Sequence, residues 1–206
     1  MELLDLFPKT IAVAELKTLT PDVIARAIDH IALTSGNPVA GDGGFTSDQQ
    51  LLERVLFRDV KQELLALCRE YAAAWSHAVD DVHICNSWGN QLRHGDTIRL
   101  HRHSNAYISG SLYLTDGSAF HIVDIDRSSL FGGFLPECRP DGHFRALESF
   151  TINPKPGRVI LFPASLMHAV LESKSAAPRY SIAFNAIPVG RFGPPTGRIE
   201  IPRPVL

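Results

Sequence analysis

Beyond about Asp81 the chain breaks into short runs rich in β-branched and aromatic residues, separated by clusters of Gly, Pro, Asp and Asn. That texture constrains the fold more than anything else in the sequence. Strands are predicted near Ile98–His103, Tyr107–Leu114, Phe120–Asp124, Glu148–Ile152, Arg158–Phe162, Met167–Glu172 and Arg179–Ile187. With no helical pattern between them, they imply a closed or sandwiched antiparallel β structure. The Gly- and Pro-rich stretch Gly132–Gly142 reads as a long loop, which in a compact domain more often serves as a lid or substrate loop than as idle chain.

The first 80 residues read differently. Thr20 is a candidate N-cap with Pro21 at the first helical position, and Val23, Ile24, Ala27, Ile28 and Ile31 recur at helical spacing until Ser35-Gly36 and Asn37-Pro38 stop the pattern. Gly41–Gly44 forms a turn-rich stretch, Ser47 is a second candidate cap, and residues 51–75 carry apolar side chains every three or four positions. The expected organisation is a single domain: helical support over 1–80, a β core over 81–190, and a Pro-rich extended tail over 191–206. A chain of 206 residues buries roughly 70% of its unfolded surface, enough for a core without staples.

Charge narrows the partners. Net charge is −2 with the nine His counted neutral, and no dense Lys/Arg run marks a phosphate-backbone footprint. A small-molecule partner is expected rather than nucleic acid or membrane, and a homodimer is compatible with this pattern. Cys68, Cys85 and Cys138 include no close-spaced pair, so reduced thiols are expected. No stretch approaches ~20 apolar residues and the first five residues include two acids, which makes the cytoplasm the expected compartment.

His101 and His103 lie at i and i+2. On a strand they would share one face, about 6.6 Å apart along the backbone, close enough to hold one metal ion. His168 provides a third imidazole at the start of another predicted strand, after Gly157 and Pro163 bracket the preceding one. Neutral imidazole suits Fe, Zn, Cu or Ni, so three His alone do not select the metal. Eleven residues after His168 come Arg179 and Ser181, again on one face and expected on the antiparallel strand next to that of His168. A guanidinium fork plus a hydroxyl is the donor set that a buried carboxylate requires.

Ser109-Gly110-Ser111-Leu112-Tyr113-Leu114, Phe162-Pro163-Ala164-Ser165-Leu166-Met167-His168 and Arg179-Tyr180-Ser181-Ile182-Ala183-Phe184-Asn185, with the His-x-His pair, resemble the motifs of a 2-oxoglutarate/Fe(II)-dependent oxygenase family. Gly43-Gly44-Phe45-Thr46-Ser47 and Ser87-Trp88-Gly89-Asn90 are similar to that family's upstream motifs. The resemblance implies a mainly β fold with N-terminal helices (α+β), namely a double-stranded β-helix of jelly-roll or cupin-like barrel type. It implies Fe(II) on His101, His103 and His168, with 2-oxoglutarate and O2 as co-substrates. Arg179 and Ser181 would hold the far carboxylate of 2-oxoglutarate with help from Tyr113, and Trp88 and Asn90 would line the same cavity. The implied reaction is oxidation, by default hydroxylation, of a small molecule with release of succinate and CO2.

One departure stands out, because the wider superfamily uses two His and a carboxylate, and here His103 occupies the carboxylate's place. Asp124 and Asp126 could supply a carboxylate nearby, although Asp126-Arg127 reads equally as a turn. Two other readings compete. A three-His cupin-type dioxygenase, acting for example on a thiol, fits Gly95 before His101 and Gly157-Pro163 before His168, but has no use for Arg179 and Ser181. A non-catalytic metal-binding β-barrel has no use for them either.

Overall fold

The computed structural model describes residues 9–35, 37–38, 45–46, 49–75, 79–124 and 149–202. The predictions on Gly41–Gly44, Ser47, Asp126, Cys138 and the loop Gly132–Gly142 fall outside the described residues.

The first elements are β1 (Ala12–Glu15), α1 (Pro21–Thr34), β2 (Asn37–Pro38), β3 (Phe45–Thr46) and α2 (Arg58–Ala74). Two single 3-10 turns at Leu51–Glu53 and Val55–Phe57 precede α2. Thr20 caps α1 as expected, its hydroxyl accepting from the Val23 N–H, with Pro21 in the first turn. The strands that follow are β4 (Asp81–Leu92), β5 (Ile98–His101), β6 (Ile108–Tyr113), β7 (Phe120–Val123), β8 (Ser149–Ile152), β9 (Arg158–Pro163), β10 (His168–Val170), β11 (Arg179–Phe192) and β12 (Ile199–Ile201). Every strand predicted from the sequence is present. The structure adds β1, the short β2 and β3, β12 and the twelve-residue β4.

Two antiparallel sheets result. The larger has the order β1-β9-β6-β11-β4-β3-β2, with β12 attached to β11, and the smaller has the order β5-β10-β7-β8. Between β4 and β11 the chain alternates between the sheets, the smaller taking β5, β7, β8 and β10 and the larger taking the rest. This is the double-stranded β-helix. Two cores stabilise it. Ala27 and Ile31 of α1, and Leu64, Cys68 and Ala72 of α2, pack with Ile84, Leu112, Leu161, Ile182 and Phe184 on the outer face of the larger sheet. Tyr113, Phe120, Ile122, Ile152, Ile160, Phe162 and Leu166 fill the space between the sheets. Each fully buried Leu, Ile or Phe contributes about 1.5–3 kcal/mol.

Gly110 shows why the Ser-Gly motif has no side chain at its second position. It lies opposite Phe184 in the β6–β11 ladder, and a methyl group there would fall inside the Phe184 ring. Gly110→Ala is therefore expected to destabilise the protein by about 1–3 kcal/mol, the usual cost of overpacking. Chemical denaturation of the metal-free protein measures it; an unchanged midpoint would show that Phe184 moves aside freely. No helix among the described residues is long and apolar enough to cross a membrane.

Candidate metal centre

His101 ends β5, His168 begins β10, and the two are direct partners in the antiparallel ladder. Opposed residues project to the same side, so both rings enter the space between the sheets, their centroids 4.2 Å apart. His103 lies two residues past the end of β5, which is shorter than predicted. Its position is still held, because its backbone N–H donates to the Ala164 carbonyl at 2.8 Å. The His103 ring stacks on His101 at 5.2 Å and 23°. One nitrogen from each of the three lies within 4.8 Å of the others, and among the described residues this is the group of His, Cys, Asp and Glu side chains suited to a metal ion.

Hydrogen bonds set the tautomers. A carbonyl only accepts, so His101 Nδ1–H donates to Arg99 O at 2.7 Å and His168 Nδ1–H to Leu166 O at 2.8 Å. In both rings Nε2 is left with its lone pair. His103 Nδ1 lies 2.6 Å from Asn185 Oδ1. Burial holds His168 far below the ordinary imidazole range, at about 3, despite its bond to Leu166. Burial also lowers His103 against the opposing effect of Asn185. Both rings are therefore neutral at pH 7, as ligation requires. Phe120 and Phe162 flank His168 at centroid distances of 5.3 and 4.7 Å, and Trp88 lies 6.1 Å from His103.

A second polar group sits on the larger sheet. Asn90, Ser181 and Tyr113 stand in one row across β4, β11 and β6. Arg179 shares their face, donates to Ser181 Oγ at 3.3 Å, and places its guanidinium carbon 5.1 Å from the centre of the Tyr113 ring. It is only 1% exposed. Among the described residues no carboxylate meets it, and Arg179 Nε and Tyr113 Oη are buried without a hydrogen-bond partner. Burial raises the Tyr113 hydroxyl, with the Arg179 charge opposing. The Tyr113 hydroxyl beside it offsets part of the cost of burying the guanidinium, and a buried cation without a carboxylate costs several kcal/mol, so these side chains could hold an anion.

Two expectations need correction. Arg179 is not on the strand next to that of His168: β10 pairs with β5 and β7, whereas β11 lies between β6 and β4 in the other sheet. The segment 171–178 is no tight hairpin; Ser173 is tied to Gly95 and Asp96 by backbone bonds, and the chain crosses from one sheet to the other. Arg179 and His168 thus belong to facing sheets. Asp124 stands outside the His group and pairs with Lys9.

Sequence reading missed Ser109 and Asn185 as part of the site. Both are buried and both touch His103. Each stands inside a quoted motif, at a polar position of a strand flanked by apolar ones, which was the available signal.

Residues 86–185, just under half of the chain, match the family described as "Putative 2OG-Fe(II) oxygenase". No curated protein sequence matches the chain. Among solved structures, a Pseudomonas putida prolyl-4-hydroxylase superposes with TM-score 0.58 at 14% identity, covering 88% of this chain and 94% of the hydroxylase. HygX from Streptomyces hygroscopicus, with nickel, 2-oxoglutarate and hygromycin B bound, gives 0.59 at 15%, covering 87% of this chain and 83% of HygX. SnoN, an α-ketoglutarate-dependent epimerase of nogalamycin biosynthesis, gives 0.62 at 13%, covering 90% and 82%. At such identities the likeness is one of fold.

Proposed function

We propose that this chain is a non-haem Fe(II)- and 2-oxoglutarate-dependent dioxygenase of the cytoplasm that hydroxylates a small molecule. The observation that carries this reading is Arg179, a buried guanidinium whose Nε has no partner, on the sheet facing the one that carries His101 and His168. His101, His103 and His168 would hold Fe(II) through Nε2. Arg179 and Ser181 would bind the far carboxylate of 2-oxoglutarate, with Tyr113 Oη as a further donor. The matched family supports iron and 2-oxoglutarate, and the ligands bound to HygX support a small-molecule substrate.

When bound, iron with 2-oxoglutarate and O2 supplies the oxidising power to hydroxylate an unactivated C–H bond, with succinate and CO2 released. The protein's own residues perform three tasks. The Nδ1 bonds of His101 and His168 keep both Nε2 lone pairs turned inward. Phe120 and Phe162 pack against the His168 ring and, with Ile160, keep water from that part of the interior, and a dry setting would strengthen an Arg179 contact to a carboxylate. Trp88 and Asn90, on the same inward face, form the wall against which substrate is oriented. A three-His cupin dioxygenase would leave Arg179 and Ser181 without a task.

The test is formation of succinate from 2-oxoglutarate by the Fe(II)-loaded protein under air, with small molecules screened for stimulation. Stoichiometric succinate is the expected result. Consumption of O2 with a thiol, and none of 2-oxoglutarate, would favour the cupin reading instead.

A further inference from the structure

His103 differs from the other two imidazoles in what holds it. His101 and His168 donate to backbone carbonyls two residues earlier in their own strands or turns, so their orientation follows from the local chain. His103 lies past the end of β5 and is held by side chains from the opposite sheet. Its Nδ1 is 2.6 Å from Asn185 Oδ1 and 3.0 Å from Ser109 Oγ, and Ser109 Oγ donates to the same Asn185 Oδ1 at 2.7 Å. Ser109 and Asn185 are partners in the β6–β11 ladder, and both are almost fully buried.

We propose that Asn185, braced by Ser109, is the positioning residue for His103: its amide oxygen fixes the proton on Nδ1 and so turns the Nε2 lone pair toward the other two imidazoles. The inference rests on the reading of His103 as a ligand. Two donors converging on one oxygen make a consistent set, with Nδ1–H and the Ser109 hydroxyl both giving to Oδ1. The reverse amide orientation would present N–H groups to Nδ1, place the proton on Nε2 and remove the lone pair from the centre. Asn185 faces inward by the ordinary alternation of β11, in step with Ser181 and Ala183, and its ladder with β6 runs unbroken through Ser109. The β11–β4 register shifts between Asn185 and Ala186, which leaves Cys85 unpaired on β4, and the Cys85 thiol donates to the Asn185 carbonyl at 3.4 Å.

Asn185 therefore acts through His103 and touches no reacting atom. The experiment measures Co(II) affinity of the metal-free protein by its visible absorbance, without 2-oxoglutarate. Asn185→Leu removes the acceptor while keeping the branching at Cγ and is expected to weaken Co(II) binding about ten- to a hundredfold, the usual loss when the partner of a ligating His is removed. Asn185→Asp keeps an acceptor and has no donor, so it is expected to bind close to parental affinity. Ser109→Ala is expected to lose less than Asn185→Leu. A general packing role would move the unfolding temperature of these variants without this order of metal affinities. Parental affinity in Asn185→Leu, or equal losses in the Leu and Asp variants, would overturn the proposal. Should Asn185→Leu not fold, a large loss in Asn185→Asp would overturn it alone. A parent protein that takes up no Co(II) would overturn the three-His centre itself and the proposal with it.

Discussion

Arg179→Ala is expected to weaken 2-oxoglutarate binding a hundredfold or more while the metal remains bound. A hydrogen bond to a charged group is worth about 1.5–3 kcal/mol, and a guanidinium fork makes two of them, which corresponds to two or more orders of magnitude. The setting adds to the cost. Arg179 is 1% exposed, so water does not replace the lost contacts, and its free Nε and the free Tyr113 Oη await a partner. Ser181→Ala removes one neutral donor worth about 1 kcal/mol and should cost about tenfold. Arg179→Lys should recover only part of the affinity, because an ammonium keeps the charge without the planar two-point geometry. Calorimetric titration of 2-oxoglutarate into the anaerobic metal-loaded variants gives these numbers. An Arg179→Ala protein that binds as tightly as the parent would remove the cationic anchor from the account.

Single Ala replacements of His101, His103 and His168 are expected to strip most of the iron, with one Fe(II) per chain in the parent. Among the described residues no carboxylate stands by to take the place of a lost ligand, Asp124 being paired with Lys9. His103 is the informative member, since under the proposed reading it would take the place of the carboxylate usual in such centres. Metal analysis of the purified variants decides the matter. Full occupancy in His103→Ala would show that this ring is not a ligand and would leave a carboxylate to be found.

Much of this was legible in the sequence because it depends on local rules. Thr20-Pro21 marks a helix start by cap chemistry alone, and an i, i+2 spacing puts Arg179 and Ser181 on one face whichever sheet they join. The convergence of His101 and His168 was expected from two predicted strands, whereas their direct partnership in one ladder was not. What was not legible depends on long-range contacts. The longest gap was β4, whose alternation reverses midway: Val82 and Ile84 face the helices, and beyond the bulge at Cys85 so do Ser87, Gly89 and Gln91. Neither parity of such a strand reads as apolar. Its inward positions, Asn86, Trp88 and Asn90, face the space between the sheets, where Trp88 lies beside His103. The sheet that receives Arg179 was misread because the short segment between His168 and Arg179 suggests neighbouring strands, and only long-range pairing shows that it crosses to the facing sheet. Asn185 and Ser109 escaped notice for a related reason. An amide and a hydroxyl in strands are ordinary, and only the pairing of β6 with β11 brings them together under His103.

The central claim is that iron and 2-oxoglutarate occupy this interior together, and one titration tests it most directly. 2-Oxoglutarate is added to the Fe(II)-loaded protein without oxygen while visible absorbance is followed. A metal-to-ligand charge-transfer band that saturates at one 2-oxoglutarate per chain in the parent, and requires far higher concentrations in Arg179→Ala, is the predicted result. An iron-loaded parent that develops no such band at any concentration would contradict the account.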